Sequence, residues 1–517
     1  MMLVLVLAAG LLAKQILCAR IAVVDATQYY LPLAWAQMEG CPVDAQHPGI
    51  PPLYPIAVGE LAKIVRRADD PAEVAGRLLS AGAALGLVVC VYFLAREFGN
   101  RRVALTAAGL TAVSRQITHV GAAVGPDMTY ALLLAVFCLL LLRLARHWRW
   151  YLPVAMGVMA GLAALVRSEG MFLIPLAVLA ALVLPWRPAA RRLVRRAGVA
   201  GLTLLVVATI WWPRVAYVHS ETGLYALDVR MYTLGPWKQD VDDRHTTPRS
   251  YVAAAPPERQ KHHDLAYRAE ETFENLLRVV GYVTWPLIIA YLVAGRRLFA
   301  VGRRQWLLLG VLVVELGIVA QVSLPKRYVT LVAGPAQVWG GLGAVALMER
   351  LRRWRPRLVT VGRELAGLAL MLGGLSCLSL FSTSQGTRHS EMRALGTVAR
   401  QRYGAGQVIL SPRAEPIYYA RGFRIKAPYP ETPEQMGGQA KLRRLCREYD
   451  VDLIVTERDD PWNRWLGEQI AADALPGGAV VHAAEYDGSV SYLIDARALF
   501  DDVSDGQGGG ARAEGQP

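Results

Sequence analysis

Apolar and polar positions alternate along this chain on the scale of whole segments. Apolar runs of roughly 20 residues with few charges, the length a helix needs to cross the hydrocarbon core of a bilayer, recur between short arginine clusters. About eleven such runs stand at 2–20, 77–95, 103–119, 127–143, 151–167, 169–185, 198–217, 277–294, 306–323, 328–347 and 359–379. The links after every second run read REFGNRR, RLARHWRW, WRPAARRLVRRAG, GRRLFAVGRRQ and ERLRRWRPRL. The short links on the opposite face read HVGAAVGPD, RSEG and LPKRY. Arginine therefore loads one face, which anionic lipid and the membrane potential make cytoplasmic. The pattern predicts a multi-pass protein of the inner or plasma membrane, with its N-terminus cytoplasmic. The first run lacks a basic leader and a small-residue cleavage site and reads as a retained helix.

This topology leaves three external regions, at about 21–76, 218–276 and beyond 380. The last has a different period. GQVILSP, DLIVTE, AVVHAAEY and SVSYLID alternate as strands, and SEMRALGTVARQRY and GGQAKLRRLCREY between them read as helices. The expected architecture is mostly α, a polytopic helical unit over 1–384 followed by a small external α/β domain at 385–499. The Gly-rich ending at 500–517 has no apolar periodicity and reads as disordered.

Composition agrees with a membrane protein: 54% of residues are hydrophobic and 19% charged, against about 25% charged in soluble domains. The net charge of +14 does not point to nucleic acid, because the arginines sit between apolar runs rather than along one soluble face. Six cysteines show no metal-ligand spacing. Cys41 and Cys446 both fall on the external side, where a bridge between them is one reading, which nothing else in the sequence supports. No glycine-rich nucleotide loop is present.

Four stretches carry candidate chemistry. DATQYYLPLAWAQMEG, directly after the first run, presents Asp25, Tyr29 and Tyr30 and spaces Tyr30, Leu33, Ala34 and Gln37 as an interfacial helix. Asp25 reads either as a cap of that helix or as a reactive carboxylate above the membrane. HPGIPPLYP, opening on His47, holds four prolines in nine residues and is a stiffened loop. GPDMTYALLL sets Asp127 at the outer end of the fourth run, as a cap or as a second acid of the same cavity. RSEG places Arg167 and Glu169 in a tight turn near the membrane plane, as a mutual salt bridge or as part of a site. Lys326, Arg327 and Tyr328 in LPKRY stand on the face that otherwise avoids short-loop cations. They suit an anionic ligand or snorkelling to lipid phosphates.

Taken in order, the Asp after the first run, the aromatic helix, HPGIPPLYP, the PD opening the fourth run, GLAALVRSEG and the late RY resemble the GT-C membrane glycosyltransferases. The similarity is to the branch holding the protein O-mannosyltransferases and the lipid A aminoarabinose transferases, and it spans about residues 1–350. The resemblance implies a polyprenyl-phosphate-linked sugar as donor and transfer of a hexosyl or pentosyl group, with inversion, on the external face. The acceptor is a protein, lipid or glycan. It also implies that Asp25 and Asp127 are the catalytic acids. Tyr29, Tyr30, His47, Arg167, Glu169, Lys326, Arg327 and Tyr328 are then substrate-binding. Ala26 stands where a second acid often follows the first, so a divalent metal does not come over with the resemblance. A transporter or an inactive scaffold carrying the α/β domain is the rival reading, but no internal repeat of transporter type is visible.

A topology reporter fused at Gly386 is expected to be active only on the external side of the membrane. Activity confined to the cytoplasm would overturn the orientation.

Overall fold

The computed structural model describes residues 1–18, 26–40, 46–184, 190–223, 225–227, 265–280, 284–294, 302–322, 326–354, 390–411, 415–420, 423–426, 439–448, 450–457, 464–486 and 489–500. The chain divides into two compact units, one drawn mainly from residues before 386 and one mainly from residues after it.

The first unit is helical: α1 (Met2–Cys18), a π-helical turn Ala26–Tyr30, α2 (Leu31–Glu39), α3 (Leu53–Ile64), α4 (Pro71–Arg96), α5 (Arg101–Val113), α6 (Arg115–Ala122), α7 (Asp127–Arg146), α8 (Tyr151–Val166), a 3-10 turn Ser168–Phe172, α9 (Leu173–Val183), α10 (Ala190–Thr222), α11 (Leu265–Val280), α12 (Thr284–Ala294), α13 (Arg303–Val322) and α14 (Lys326–Trp354). Among the described residues, α4, α7, Val194–Thr222 of α10 and Val329–Trp354 of α14 are each long and apolar enough to cross a membrane. Thr272–Val280 and Thr284–Val293 together make a fifth candidate, bent by 95°. The expected run 359–379 lies outside the described residues.

Two expected runs are interrupted. The run 103–119 breaks at Ser114, whose extended backbone ends α5 and whose hydroxyl accepts from Ile117 N at the start of α6. The run 169–185 opens with the 3-10 turn before α9. The interfacial helix of the first loop buries Leu31, Ala34 and Met38, a face rotated from the expected stripe, and packs on α3 and α4.

Helix ends explain where α4 begins. Asp70 accepts from Glu73 N at 3.1 Å and Pro71 takes the first helical position, so α4 starts with a capped end and a ready-made φ. In the bundle core α7 packs on α4 and α8, and α14 packs on α5 and α12. At Gly343 a Cβ would meet the carbonyl of Leu287, so α14 and α12 touch backbone to backbone, as small residues allow between membrane helices.

The second unit carries a five-stranded sheet of order β2-β1-β3-β5-β4, with β1 (Val408–Ser411), β2 (Phe423–Lys426), β3 (Leu453–Glu457), β4 (Val480–Tyr486) and β5 (Ser489–Asp495). β1 runs parallel to β2 and β3, whereas β5 is antiparallel to both β3 and β4. Leu410, Ile454, Leu466 and Ile494 form its core with Cys446, whose thiol burial pushes up to about 12. β2, written FRIK, is the strand that the sequence pattern did not mark.

One buried cation fixes the proline-rich loop of the first unit. Arg214 is 3% exposed. Its Nη2 donates to the carbonyls of His47, Pro48 and Ile50 at 2.9, 2.9 and 3.0 Å, and its Nε to that of Leu227 at 2.9 Å. His47 and Ile50 also pair as an isolated bridge, and Gly49 N donates to His47 Nδ1 at 3.1 Å. A buried carbonyl left without its donor costs about 1–3 kcal/mol. Arg214→Met is therefore expected to lower the melting temperature in detergent by several degrees and to open the 47–50 loop to protease. An unchanged melt and digestion pattern would count against the clamp.

Candidate active site

The site grows from the ends of α7 and α8. Asp127 is the first residue of α7, after Pro126 at the cap position. It sits at the positive end of the helix dipole, which favours a carboxylate. Arg167 follows the last residue of α8 with extended backbone, φ −150° and ψ 136°, so its side chain leaves the helix direction. The next five residues wind as the 3-10 turn, which brings Glu169 back beside Arg167.

The guanidinium joins both acids. Arg167 Nη1 donates to Asp127 Oδ1, and Nη2 donates to Glu169 Oε1 at 2.6 Å. Asp127, Arg167 and Glu169 are 5%, 8% and 9% exposed, which decides how the contact is valued. An exposed ion pair contributes about 0–1 kcal/mol, but losing one partner of a buried one costs about 3–5 kcal/mol. The salt bridge read from RSEG is thus present, and it extends to a second acid 40 residues earlier in the chain.

A second buried group sets the approach to Asp127. Tyr54, in the first turn of α3, lies with its hydroxyl 3.2 Å from Ser80 Oγ and 3.3 Å from the carbonyl of Gly76. It accepts from Gly125 N at 2.7 Å, while Ser80 Oγ donates to the Gly125 carbonyl at 3.2 Å. The turn before Asp127 is therefore held by α3 and α4. Burial first, and the nearby Asp127 charge after it, push the Tyr54 phenol far above its ordinary value, so it remains a neutral hydroxyl. Tyr30 packs edge-on against the Tyr54 ring at 5.5 Å.

The structure thus brings Asp127, Arg167 and Glu169 together and sets Tyr30 against Tyr54. Tyr29 closes the π-turn with Tyr30 and is half-buried. His47 lies in the loop held by Arg214. Lys326, Arg327 and Tyr328 form the first turn of α14, and their side chains lie outside the described residues. Asp25 lies outside them too. Tyr54 and Arg214 were not singled out by sequence. A tyrosine among four prolines and an arginine inside an apolar run were the signals available for them. Among the described residues no group of three or more His, Cys, Asp or Glu side chains could hold a metal ion, and the two carboxylates of the array are turned to Arg167.

Residues 51–212 match the family model described as dolichyl-phosphate-mannose-protein mannosyltransferase. Among solved structures the chain is similar to ArnT from Cupriavidus metallidurans bound to undecaprenyl phosphate, with a TM-score of 0.63 at 14% identity, covering 94% of this chain and 97% of that one. It is also similar to the archaeal oligosaccharyltransferase AglB from Archaeoglobus fulgidus in complex with an inhibitory peptide and a dolichol-phosphate. That match has a TM-score of 0.56 at 14% identity, covering 95% and 74% of the two chains. No curated protein matches at a significant level. The expected GT-C likeness is borne out, and at these identities the structural matches establish a common fold.

Gly170 tests how the array is built. A Cβ there would lie 2.3 Å from Ala163 C and Ala164 N, both backbone atoms that cannot swing aside. Gly170→Ala is expected to displace the turn that carries Glu169 and to destabilise the protein by about 2 kcal/mol or more, read as a lowered melting temperature. A melt equal to the parent's would mean that the turn does not pack so closely on α8.

Proposed function

We propose that this chain is a membrane glycosyltransferase that moves a hexosyl or pentosyl group from a polyprenyl-phosphate carrier to an acceptor hydroxyl on the external face. The observation that carries the reading is the buried Asp127–Arg167–Glu169 array at the ends of α7 and α8. It stands in a fold shared with proteins whose structures hold undecaprenyl phosphate and dolichol-phosphate. The reading includes the N-in, C-out arrangement of about eleven spans, with the α/β domain external.

The chemistry asks three things of the protein. The acceptor oxygen forms a bond to the anomeric carbon as the bond from that carbon to the carrier phosphate breaks. The electron pair leaves on the phosphate, and the hydroxyl proton passes to a carboxylate. Displacement from the face opposite the leaving group inverts the anomeric centre. Asp25 is the base in this scheme. Asp127, held by Arg167 beside Glu169, shapes the acidic wall of the cavity. The departing phosphate needs donors, and the first turn of α14 supplies them. Lys326 and Arg327 lie at a helix N-terminus, where the dipole disfavours cations and backbone N–H groups favour an anion. Two cations are reasonable there if an anion is bound between them and the helix end. Tyr29, Tyr30, His47 and Tyr328 line the approaches to the sugar and its carrier.

Incubating membranes with radiolabelled polyprenyl-phosphate hexoses and pentoses and a panel of protein, lipid and glycan acceptors tests the reading. No transfer in any combination by correctly inserted protein would sink it. With an active pair in hand, Asp25→Asn is expected to lower turnover by about 100-fold or more, the lower end of what a general base contributes. Asparagine still caps a helix, so undiminished turnover would remove Asp25 from the mechanism. Arg327→Lys keeps charge and reach but loses the bidentate fork, and is expected to lower turnover by about tenfold or more. Lysine matching arginine in both turnover and donor affinity would make Arg327 a membrane anchor.

A further inference from the structure

One buried acid of the helical unit has no part in the scheme above. Glu315 lies within α13, in the apolar run LLLGVLVVELGIVAQV, and is wholly buried. Its Oε2 accepts a hydrogen bond from Tyr130 Oη at 2.9 Å. Its Oε1 has no hydrogen-bond partner among the described residues. Tyr130, also wholly buried, stands one turn after Asp127 on α7, on the same side of the helix. Arg167 and Glu169 act electrostatically on both Glu315 and Tyr130. The helix α13 packs against α7 and against the 3-10 turn that carries Glu169.

A carboxyl in the middle of an apolar membrane helix is costly, and a leucine would make an ordinary helix contact there without that cost. The hydrogen bond therefore does something that apolar packing would not. It fixes α7 in rotation and height one turn below Asp127, so the acid meets Arg167 in one geometry. We propose that Glu315 is a positioning residue, acting through Tyr130 to hold the first turn of α7 in register with the Arg167–Glu169 turn. Its effect on turnover rests on the transferase reading given above; its effect on the geometry does not.

Three variants in the full-length protein separate the cases. Glu315→Leu removes the acceptor, Tyr130→Phe removes the donor, and Glu315→Gln keeps an acceptor oxygen in nearly the same place. Each is measured for melting temperature, for affinity toward undecaprenyl phosphate as probe, for backbone hydrogen exchange over 124–130 and 167–170, and for kcat and KM with an active donor and acceptor. The Leu and Phe variants each strand one buried polar group and are expected to melt lower than the parent. The Leu–Phe double variant, which removes both, is expected to recover the melt, and all are expected to bind the probe equally well. The single Leu and Phe variants should exchange faster over both segments and lose about tenfold in kcat with KM unchanged, since small misplacements in an array built for the transition state act on kcat. The Gln variant should restore both exchange and kcat, and the Leu–Phe double variant should be no worse than either single one. Parental exchange and kcat in Glu315→Leu would overturn the proposal. So would a Gln variant as impaired as the Leu variant, which would assign the effect to the charge rather than the hydrogen bond. A parent that neither binds undecaprenyl phosphate nor transfers sugar would defeat the transferase reading instead, and the exchange data then decide the positioning role alone.

Discussion

The site depends on one guanidinium with a carboxylate on each side. Arg167 is a planar donor with no acceptor function, so two buried carboxylates can share it without competing for the same hydrogens. The trio keeps one net negative charge, placed at the N-terminal end of α7, where the helix's partial positive charge offsets part of it. The local structure serves this contact. Arg167 leaves α8 through an extended residue, Gly170 lets the following turn lie on the α8 backbone, and Glu169 returns to the guanidinium.

The loop facing this array has a different problem. Proline at 48, 51, 52 and 55 removes backbone donors and bars regular pairing, yet the carbonyls of the loop still need partners when buried. A donor-only side chain is the fitting complement. Arg214 supplies hydrogens to three of these carbonyls and to Leu227 beyond α10, and so ties the loop to the residues that follow that helix. Tyr54 does related work for the turn before Asp127, with a hydroxyl that both gives and takes. Stiffness from proline and anchoring from buried donors together hold a segment with little regular structure.

How much of this was legible in the sequence follows from range. Apolar run length alone located α4, α7, α8 and α14, and period-2 alternation located four of the five strands. The missing one, FRIK, is short and lacks the β-branched run that marked the others. The turn at RSEG was legible, though not its extension to Phe172; the break at Ser114 was not, because a serine in an apolar window scarcely changes its hydropathy while deciding its backbone. Asp127, Arg167 and Glu169 each stood out by position. The bond between the first two spans 40 residues and is a property of packing, which no local pattern encodes. Arg214 and Glu315 carried the plainest signal of all, a lone charge inside an apolar run.

Those lone charges bear on how membrane helices hold one another. In lipid, apolar side chains gain little by leaving one hydrocarbon surface for another, so helices are held by close backbone approach or by polar contacts. In α14 both means are used: Gly343 lets its backbone meet that of α12, and Gln337 Oε1 accepts from Thr284 Oγ1 of α12 at 2.7 Å. The helix α13 uses the second, through the Glu315–Tyr130 hydrogen bond. Close approach resists separation but permits small sliding and rotation, because dispersion contacts are soft and numerous. A hydrogen bond is short and directional and admits one register. The Glu315–Tyr130 crosslink stands where register sets the position of Asp127 against Arg167, which is where a soft contact alone would serve least.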